Sequence, residues 1–376
     1  MLIHRYLFDT LRAQLQSNKV VTLIGARRVG KTVLMNRLAE SFDGQQLILN
    51  GDDLATTELL ADRRVASYKR WLGNTTLLLI DEAQVIPEVG KSLKLLIDSF
   101  PELTIFATGS SAFELTNRTG EPLVGRQLTY TLYPLAQLEL AETETYLQTR
   151  ANLPERLVFG SYPDIVQMDQ NDDRIDYLKS MVSSYLLKDI LLFEQVRNAT
   201  KILQLLQLVA HQVGSEVSYD ELSRQLQIDR NTVVRYLDLL TKVFIIFRLG
   251  GYSNNLRKEV TKSSKWYFFD NGIRNALINN FAWPDKRNDI GALWENYLIA
   301  ERVKRNAYRR THVSTYFWRT YDQQELDWLE EKDGALQAFE MKWHTNTVRF
   351  PKGFQAAYPD ASMNVVNPDT YLDFVL

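Results

Sequence analysis

Apolar residues in the first 150 positions fall into short unbroken runs separated by amphipathic stretches. The runs are KVVTLIG (19–25), QQLILN (45–50), TLLLIDE (76–82), LTIFATGS (103–110) and LTYTLYPL (128–135). Such runs, bounded by turn formers, predict buried parallel strands. The intervening KTVLMNRLAESF and VGKSLKLLIDSF repeat apolar residues at helical spacing. Strand and helix alternating in this way predict a three-layer α/β domain over residues 1–150.

The pattern then changes. Residues 151–199 read as a helical connector after a GSYP turn at 160–163. In 200–270, SYDELSRQLQI and DRNTVVRYLDLL read as two helices joined by a short turn. Val233, Leu237 and Leu240 recur at i, i+4 and i+7 and face inward. Asn231, Arg235, Asp238 and Lys242 then face outward, and Asp229 is placed to cap the helix. FIIFRLGG and KWYFFD follow as candidate wing strands, which predicts a winged helix-turn-helix. Residues 271–376 mix one helix, ALWENYLIAERVKR, with strands in THVSTYFWRT, QELDWLE and GALQAFEMKW, a small α+β domain. With no repeat or Pro/Ser-rich linker between them, these parts are expected to pack together.

Composition narrows the classes. A length of 376 residues calls for more than one core. The net charge of −2 gives no overall argument for a nucleic-acid partner, so any basic surface must be local. The absence of cysteine excludes disulfides, thiolate metal sites and cysteine nucleophiles. No apolar run approaches the roughly 20 residues that span a bilayer, and MLIHRYLFDTLRAQLQ lacks the apolar core of a signal peptide. The expectation is a soluble cytoplasmic protein with no membrane partner. His4, His211, His312 and His344 show no metal-ligand spacing.

Residues 25–32, GARRVGKT, match G-x-x-x-x-G-K-[ST] in full. Gly25 and Gly30 let the loop curl so that backbone N–H groups face phosphates. Lys31 reaches the β- and γ-phosphate oxygens, and the Thr32 hydroxyl ligates Mg²⁺. The helix that starts at Lys31 adds its positive end. The expected nucleotide-binding set is Gly25, Ala26, Arg27, Arg28, Val29, Gly30, Lys31, Thr32 and Val33, with ATP and Mg²⁺ as cofactors. TLLLIDE ends in two acids: Asp81 is expected in the Mg²⁺ shell and Glu82 as the base that polarises the attacking water. Ser110, at the end of LTIFATGS, is a candidate γ-phosphate sensor; a plain strand-end turn is the competing reading. Arg126 is a candidate for stabilising transition-state charge, in cis or from a neighbouring subunit of a homo-oligomer, against an ordinary surface arginine.

A second constellation lies near the end of the chain. Asp333-Gly334 is a two-residue hairpin signal. With those residues as the loop, Lys332 faces Ala335 and Asp327 falls opposite Glu340. Lys342 shares the face of Glu340 and lands opposite Glu325, while Phe339, Met341 and Trp343 take the other face. Two opposed carboxylates repel unless a cation or proton lies between them. Glu295, on ALWENYLIAERVKR, offers a third acid for a divalent ion. Arg302, Lys304, Arg305, Arg309 and Arg310 would suit a phosphate backbone. The competing reading is an exposed face of cross-strand salt bridges.

GARRVGKT, LLLIDEAQ, TGSS followed by LVGRQ, and YPL at 133–135 resemble AAA-type ATPases of a prokaryotic family. That family carries a C-terminal domain of unknown function with restriction-endonuclease-like features. GSYPD, YLLKDI, YFFDNGIRNAL, ALWENYLIAE and QELDW…FEMKW fit the same family, and E…D…ExK resembles the PD-(D/E)XK nuclease core, with Leu326 where that core has proline. The resemblance implies ATP binding and hydrolysis. Two functions stay open. One is an ATPase acting on DNA, contacted through Asn231, Arg235 and Lys242, whose nucleotide state controls the C-terminal site. The other is a nucleotide switch for protein partners with an inactive C-terminal domain.

Overall fold

Five parallel strands form the centre of residues 2–133, in a computed structural model that describes residues 3–16, 18–110, 123, 125–185, 198–253, 264–320, 322–344 and 348–376. Ser111 and most of YLLKDI lie outside the described residues. The elements run α1 (Leu7–Ala13), β1 (Val20–Gly25), α2 (Lys31–Glu40), β2 (Gln46–Asn50), α3 (Leu54–Ala61), α4 (Val65–Leu72), β3 (Leu77–Asp81), α5 (Val89–Ser99), β4 (Thr104–Ser110) and β5 (Gln127–Thr131). The sheet order is β2-β3-β4-β1-β5, and every pairing is parallel.

Strand alternation splits the core into two faces. Leu78, Ile80, Ile105 and Ala107 pack with Leu60, Tyr68, Leu93, Leu96 and Ile97 from α3, α4 and α5. Leu77, Leu79, Phe106, Val21 and Leu23 are buried on the opposite face, where α2 brings Leu34 and Leu38. Each such aliphatic side chain contributes about 1.5–3 kcal/mol when fully buried. The two edge strands depart from the expectation of burial: β2 and β5 are only partly covered. An apolar run marks a strand, but its place in the sheet decides how much of it is covered.

Residues 134–376 form the other unit. It opens with α6 (Gln137–Leu140), α7 (Tyr146–Ala151), α8 (Leu153–Phe159), α9 (Pro163–Gln167) and α10 (Asn171–Ser180). Next come α11 (Ala199–His211), α12 (Tyr219–Leu226) and α13 (Arg230–Lys242), then an antiparallel ribbon of β6 (Ile246–Gly250) and β7 (Ser264–Phe268). Gln227 ends α12 with a left-handed φ of 53°, and the Asp229 carboxylate caps α13 by accepting from Thr232 N at 2.9 Å.

The chain continues through α14 (Asn271–Leu277) and the long α15 (Ile290–Tyr308) to β8 (Ser314–Arg319), β9 (Glu325–Lys332) and β10 (Ala335–Met341). It closes with α16 (Lys352–Ala357), β11 (Ser362–Val366) and α17 (Tyr371–Val375). These strands make a sheet ordered β11-β10-β9-β8, with β10 parallel to β11 and antiparallel to β9. Trp318, Leu326, Leu329, Ala338 and Phe354 pack on one another in this unit. Asp333 and Gly334 both have positive φ, and Lys332 pairs with Ala335.

The segments read from sequence as 151–199, 200–270 and 271–376 therefore share one compact unit, and the division falls at 133/134. The reason is visible at the ribbon. Gly251 bridges Phe317, and Tyr252 N donates to Phe317 O at 2.7 Å. Backbone pairing thus runs across the expected boundary at 270. Among the described residues no helix is long and apolar enough to cross a membrane.

Candidate functional site

Strand β1 ends at Gly25, and the chain must turn at once toward α2. A Cβ on Gly25 would lie 2.1 Å from Leu132 O, so no side chain fits there. Gly30 precedes α2 with φ 96°, a conformation that favours glycine. Between them Ala26 and Val29 are buried and offer only backbone, while Arg28, Thr32 and Val33 are exposed. Lys31 is 5% exposed, and its Nζ donates to Gly25 O and Ala26 O at 2.9 Å each. Its ammonium is thereby held at the mouth of the loop.

Strand β3 sits beside β4 and delivers Asp81 and Glu82 to the same end of the sheet. Thr32 Oγ1 donates to Asp81 Oδ2 at 2.8 Å. The Thr108 hydroxyl donates to Asp81 Oδ1, and Glu82 N donates to Thr108 Oγ1 at 3.2 Å. A hydroxyl and a carboxylate meeting in this way suit a hard cation that takes its remaining ligands from phosphate and water, so Thr32 and Asp81 fit Mg²⁺. Glu82 turns away from the strand at φ 49°.

Two residues of this site were given no role from the sequence. Gln84 Nε2 donates to Glu82 Oε2 and also to Ser110 Oγ at 3.0 Å, while Ser110 N donates to Gln84 Oε1 at 3.3 Å. Gln84 so joins the expected base to the expected sensor. Its one signal was adjacency in LLLIDEAQ. Arg5 is 6% exposed and donates from NH1 to Val29 O at 2.5 Å and from NH2 to Tyr133 O at 2.7 Å. It braces the phosphate loop from residues far away in sequence, and nothing local marked it.

Arg126 is not brought to this site within its own chain. It precedes β5, and its carbonyl accepts from Val20 N at 2.9 Å at the start of β1. The loop begins at the far end of β1, five strand steps or roughly 16 Å away. Arg126 NH1 is ion-paired to Asp98. The cis role is corrected by this placement.

In the C-terminal unit, the hairpin register runs from Lys332↔Ala335 to Phe339↔Trp328, and the next residues, Asp327 and Glu340, lie close enough for their carboxylates to repel. Asp327 Oδ2 accepts from Met341 N at 2.8 Å, and Lys342 Nζ lies 2.7 Å from Glu340 Oε1. Glu295 joins them from α15. Lys342 does not pair with Glu325 as expected, because β10 ends at Met341 and Glu325 is held by Lys265 and Arg319. Lys265, from β7, was missed. Its Nζ also lies 3.3 Å from Glu295 Oε1, and Tyr267 OH donates to the same oxygen at 2.6 Å. A lysine inside the apolar strand SKWYF was the available signal.

Burial, then repulsion from Asp327, pushes the Glu295 carboxyl up to about 7. Burial raises Asp327 and Glu340 as well, with Asp327 adding repulsion at Glu340. Burial pulls Lys265 down, but Glu295, Asp327 and Glu325 outweigh it and hold its ammonium above the ordinary range. Among the described residues no three carboxylate or imidazole groups converge as metal ligands. With Lys265 seated among the acids, the cluster as arranged does not fit a divalent ion.

The outer face of α13 exposes Asn231, Arg235 and Asp238. Lys242 is drawn to Asp238 at 3.0 Å. The basic residues of α15 are corrected: Arg302 and Lys304 are buried and ion-paired to Glu330 and Glu301, and Arg305 donates to Leu376 O at 2.6 Å. Only Arg309 and Arg310 of that set are exposed.

Residues 17–141 match the family model for an AAA domain. They have the fold of an AAA-type P-loop domain. Residues 150–283 and 290–372 match two domains of unknown function, DUF8612 and DUF4143. The chain is 26% identical over 359 residues to the uncharacterized protein Rv2008c of Mycobacterium tuberculosis, across 94% of this chain and 76% of the relative. It is 24% identical over 382 residues to the uncharacterized protein MJ1544 of Methanocaldococcus jannaschii, across 95% and 82%. Among solved structures, the RuvB Holliday junction branch migration motor of Thermotoga maritima aligns at 16% identity and a TM-score of 0.34, over 65% of this chain and 90% of that one.

Proposed function

We propose that the protein is a Mg²⁺-dependent ATPase. The observation that carries this is the junction of Thr32, Asp81 and Thr108 directly below the loop that holds Lys31, with Glu82 one residue on. Lys31 and the loop amides take the phosphates, Thr32 and Asp81 take the metal, and Glu82 polarises the attacking water. Lys31→Ala should abolish nucleotide binding, measured by a fluorescent ATP analogue. Glu82→Gln should keep binding and lose turnover by about 10²–10⁴-fold, the scale of a general base. Undiminished turnover in Glu82→Gln overturns the assignment.

We infer further that ATP turnover acts on DNA, with the face of α13 as the contact and nucleotide state controlling the C-terminal cluster. A helix-turn-helix followed by an antiparallel ribbon, with Asn231 and Arg235 exposed, supports this reading. A second reading is a nucleotide switch for protein partners with an inactive C-terminal domain. Lys265 inside the acid cluster favours it. DNA-stimulated ATP hydrolysis supports the first reading and DNA-insensitive hydrolysis the second.

A further inference from the structure

The acid cluster is reached by a lysine from outside the hairpin that builds it. The side chain of Lys265 is 1% exposed, ion-paired to Glu295 and Glu325, and lies over the Phe317 ring at 5.4 Å. Four carboxylates, Glu295, Glu325, Asp327 and Glu340, gather there with two ammoniums, Lys265 and Lys342. Arg319 and Glu216 pair with each other at the rim, 3.6 Å apart. Glu340 is 9% exposed, and its Oε2 is buried with no hydrogen-bond partner. An acid oxygen is thus spare, while the cationic position beside Glu295 is taken by a side chain.

The lysine belongs to the ribbon. Lys265 pairs with Leu249 of β6, and β6 begins just after α13, the outward-facing second helix of the helix-turn-helix. The same strand supplies Tyr267 to Glu295. Two donors for the cluster therefore sit on the strand that pairs with β6, the element next after α13.

We propose that Lys265 is a built-in cation that stands in the divalent-metal position of the C-terminal acid cluster and excludes a metal ion from it. The inference rests on the reading of Glu295, Asp327 and Glu340 as a metal-ligand set. An ammonium and a divalent ion cannot share a ring of carboxylates without strong mutual repulsion. A lysine also fills the site as a fixed part of the chain, so it offsets part of the acids' charge without a bound ion. Removing the charge leaves the acids with excess repulsion that a divalent cation relieves.

The test is Mn²⁺ binding to the full chain without nucleotide, followed by the electron paramagnetic resonance of free Mn²⁺. Lys265→Met should gain a site about ten-fold tighter or more than any in the wild type, the least change expected when a buried like charge is removed. That site should vanish in Lys265→Met/Asp327→Asn, and Lys265→Arg should behave as the wild type. If Lys265→Met folds poorly, Lys265→Gln serves, and thermal melts read the same linkage: Mn²⁺ should raise the melting temperature of the variant more than that of the wild type. Equal Mn²⁺ affinity in wild type and variant, dependent on Asp327, overturns the lock and leaves the nuclease reading standing. A tight site that survives Asp327→Asn also overturns it. Tight Asp327-dependent binding in Lys265→Met with no cleavage of DNA upholds the lock and removes the nuclease reading.

Discussion

Gln84 touches both Glu82 and Ser110, the residues proposed as base and γ-phosphate sensor. Its amide donates to Glu82 and Ser110 and accepts from Ser110 N, so one side chain sets the distance between base and sensor. A base displaced by a fraction of an ångström from its water loses rate and not affinity. Gln84→Ala should therefore lower kcat by about 10- to 100-fold, the scale of a misplaced catalytic group, with KM for ATP little changed. Steady-state kinetics checks this; a rise in KM with unchanged kcat would assign Gln84 to binding instead. Motifs name residues by their spacing along the chain, and this explains what the sequence showed and hid. Lys31, Thr32, Asp81 and Glu82 stood out because each falls within a short run of fixed spacing, GARRVGKT or LLLIDE. Arg5 and Lys265 were not, because Arg5 meets Val29 and Tyr133, and Lys265 meets Glu295 and Glu325, only after the fold forms.

Among the elements, α15 shows how a helix can mislead. Its Arg302, Lys304 and Arg305 look like a solvated basic face, yet the helix is buried nearly all round. Arg302 grips Glu330 of β9 through Nε and NH2 at 2.7 and 2.6 Å, and Asn306 and Trp328 also donate to Glu330. Period alone cannot tell a charged face from a buried charge that finds a partner on a strand. The strands were clearer, because unbroken apolar runs and the Asp333-Gly334 turn leave few alternatives; β2 and β5 were misjudged only in burial. Burial pushes the Glu330 carboxyl up, but the hydrogen bonds and charge of Arg302 outweigh it and hold it below its ordinary 4.5. A lowered folded pKa gives stability that is full above the ordinary value and is lost as pH falls through the folded one. Glu330→Gln should cost about 3–5 kcal/mol at pH 7, because Arg302 is left buried and unpaired. Its melting temperature should also fall less than that of the wild type between about pH 5 and pH 3. Parallel acid limbs in the two proteins would show that the pair carries no pH-linked stability.

For the whole molecule, a net charge of −2 means that the proposed DNA affinity must come from a local patch rather than the general field. The exposed face of α13 offers Asn231 and Arg235, but Asp238 is exposed beside them and holds Lys242 at 3.0 Å. Binding should then be weak and should lean on Arg235, whose guanidinium lies over the Tyr236 ring at 5.7 Å. Arg235→Glu should weaken DNA binding and flatten the dependence of log affinity on log salt by about one unit, the signature of one lost phosphate contact. Asp238→Ala removes an acid from that face and should strengthen binding. The proposed ATP site lies in residues 2–133 and α13 in residues 134–376, so any effect of DNA on hydrolysis must pass between the two units. Turnover in the wild type should rise with DNA, and Arg235→Glu should require more DNA to reach the same rate while its rate without DNA is unchanged. Fluorescence anisotropy across a salt series, paired with phosphate release, measures both. A salt-independent affinity, or DNA stimulation that Arg235→Glu leaves untouched, would move the contact off α13 and favour a protein partner for that face.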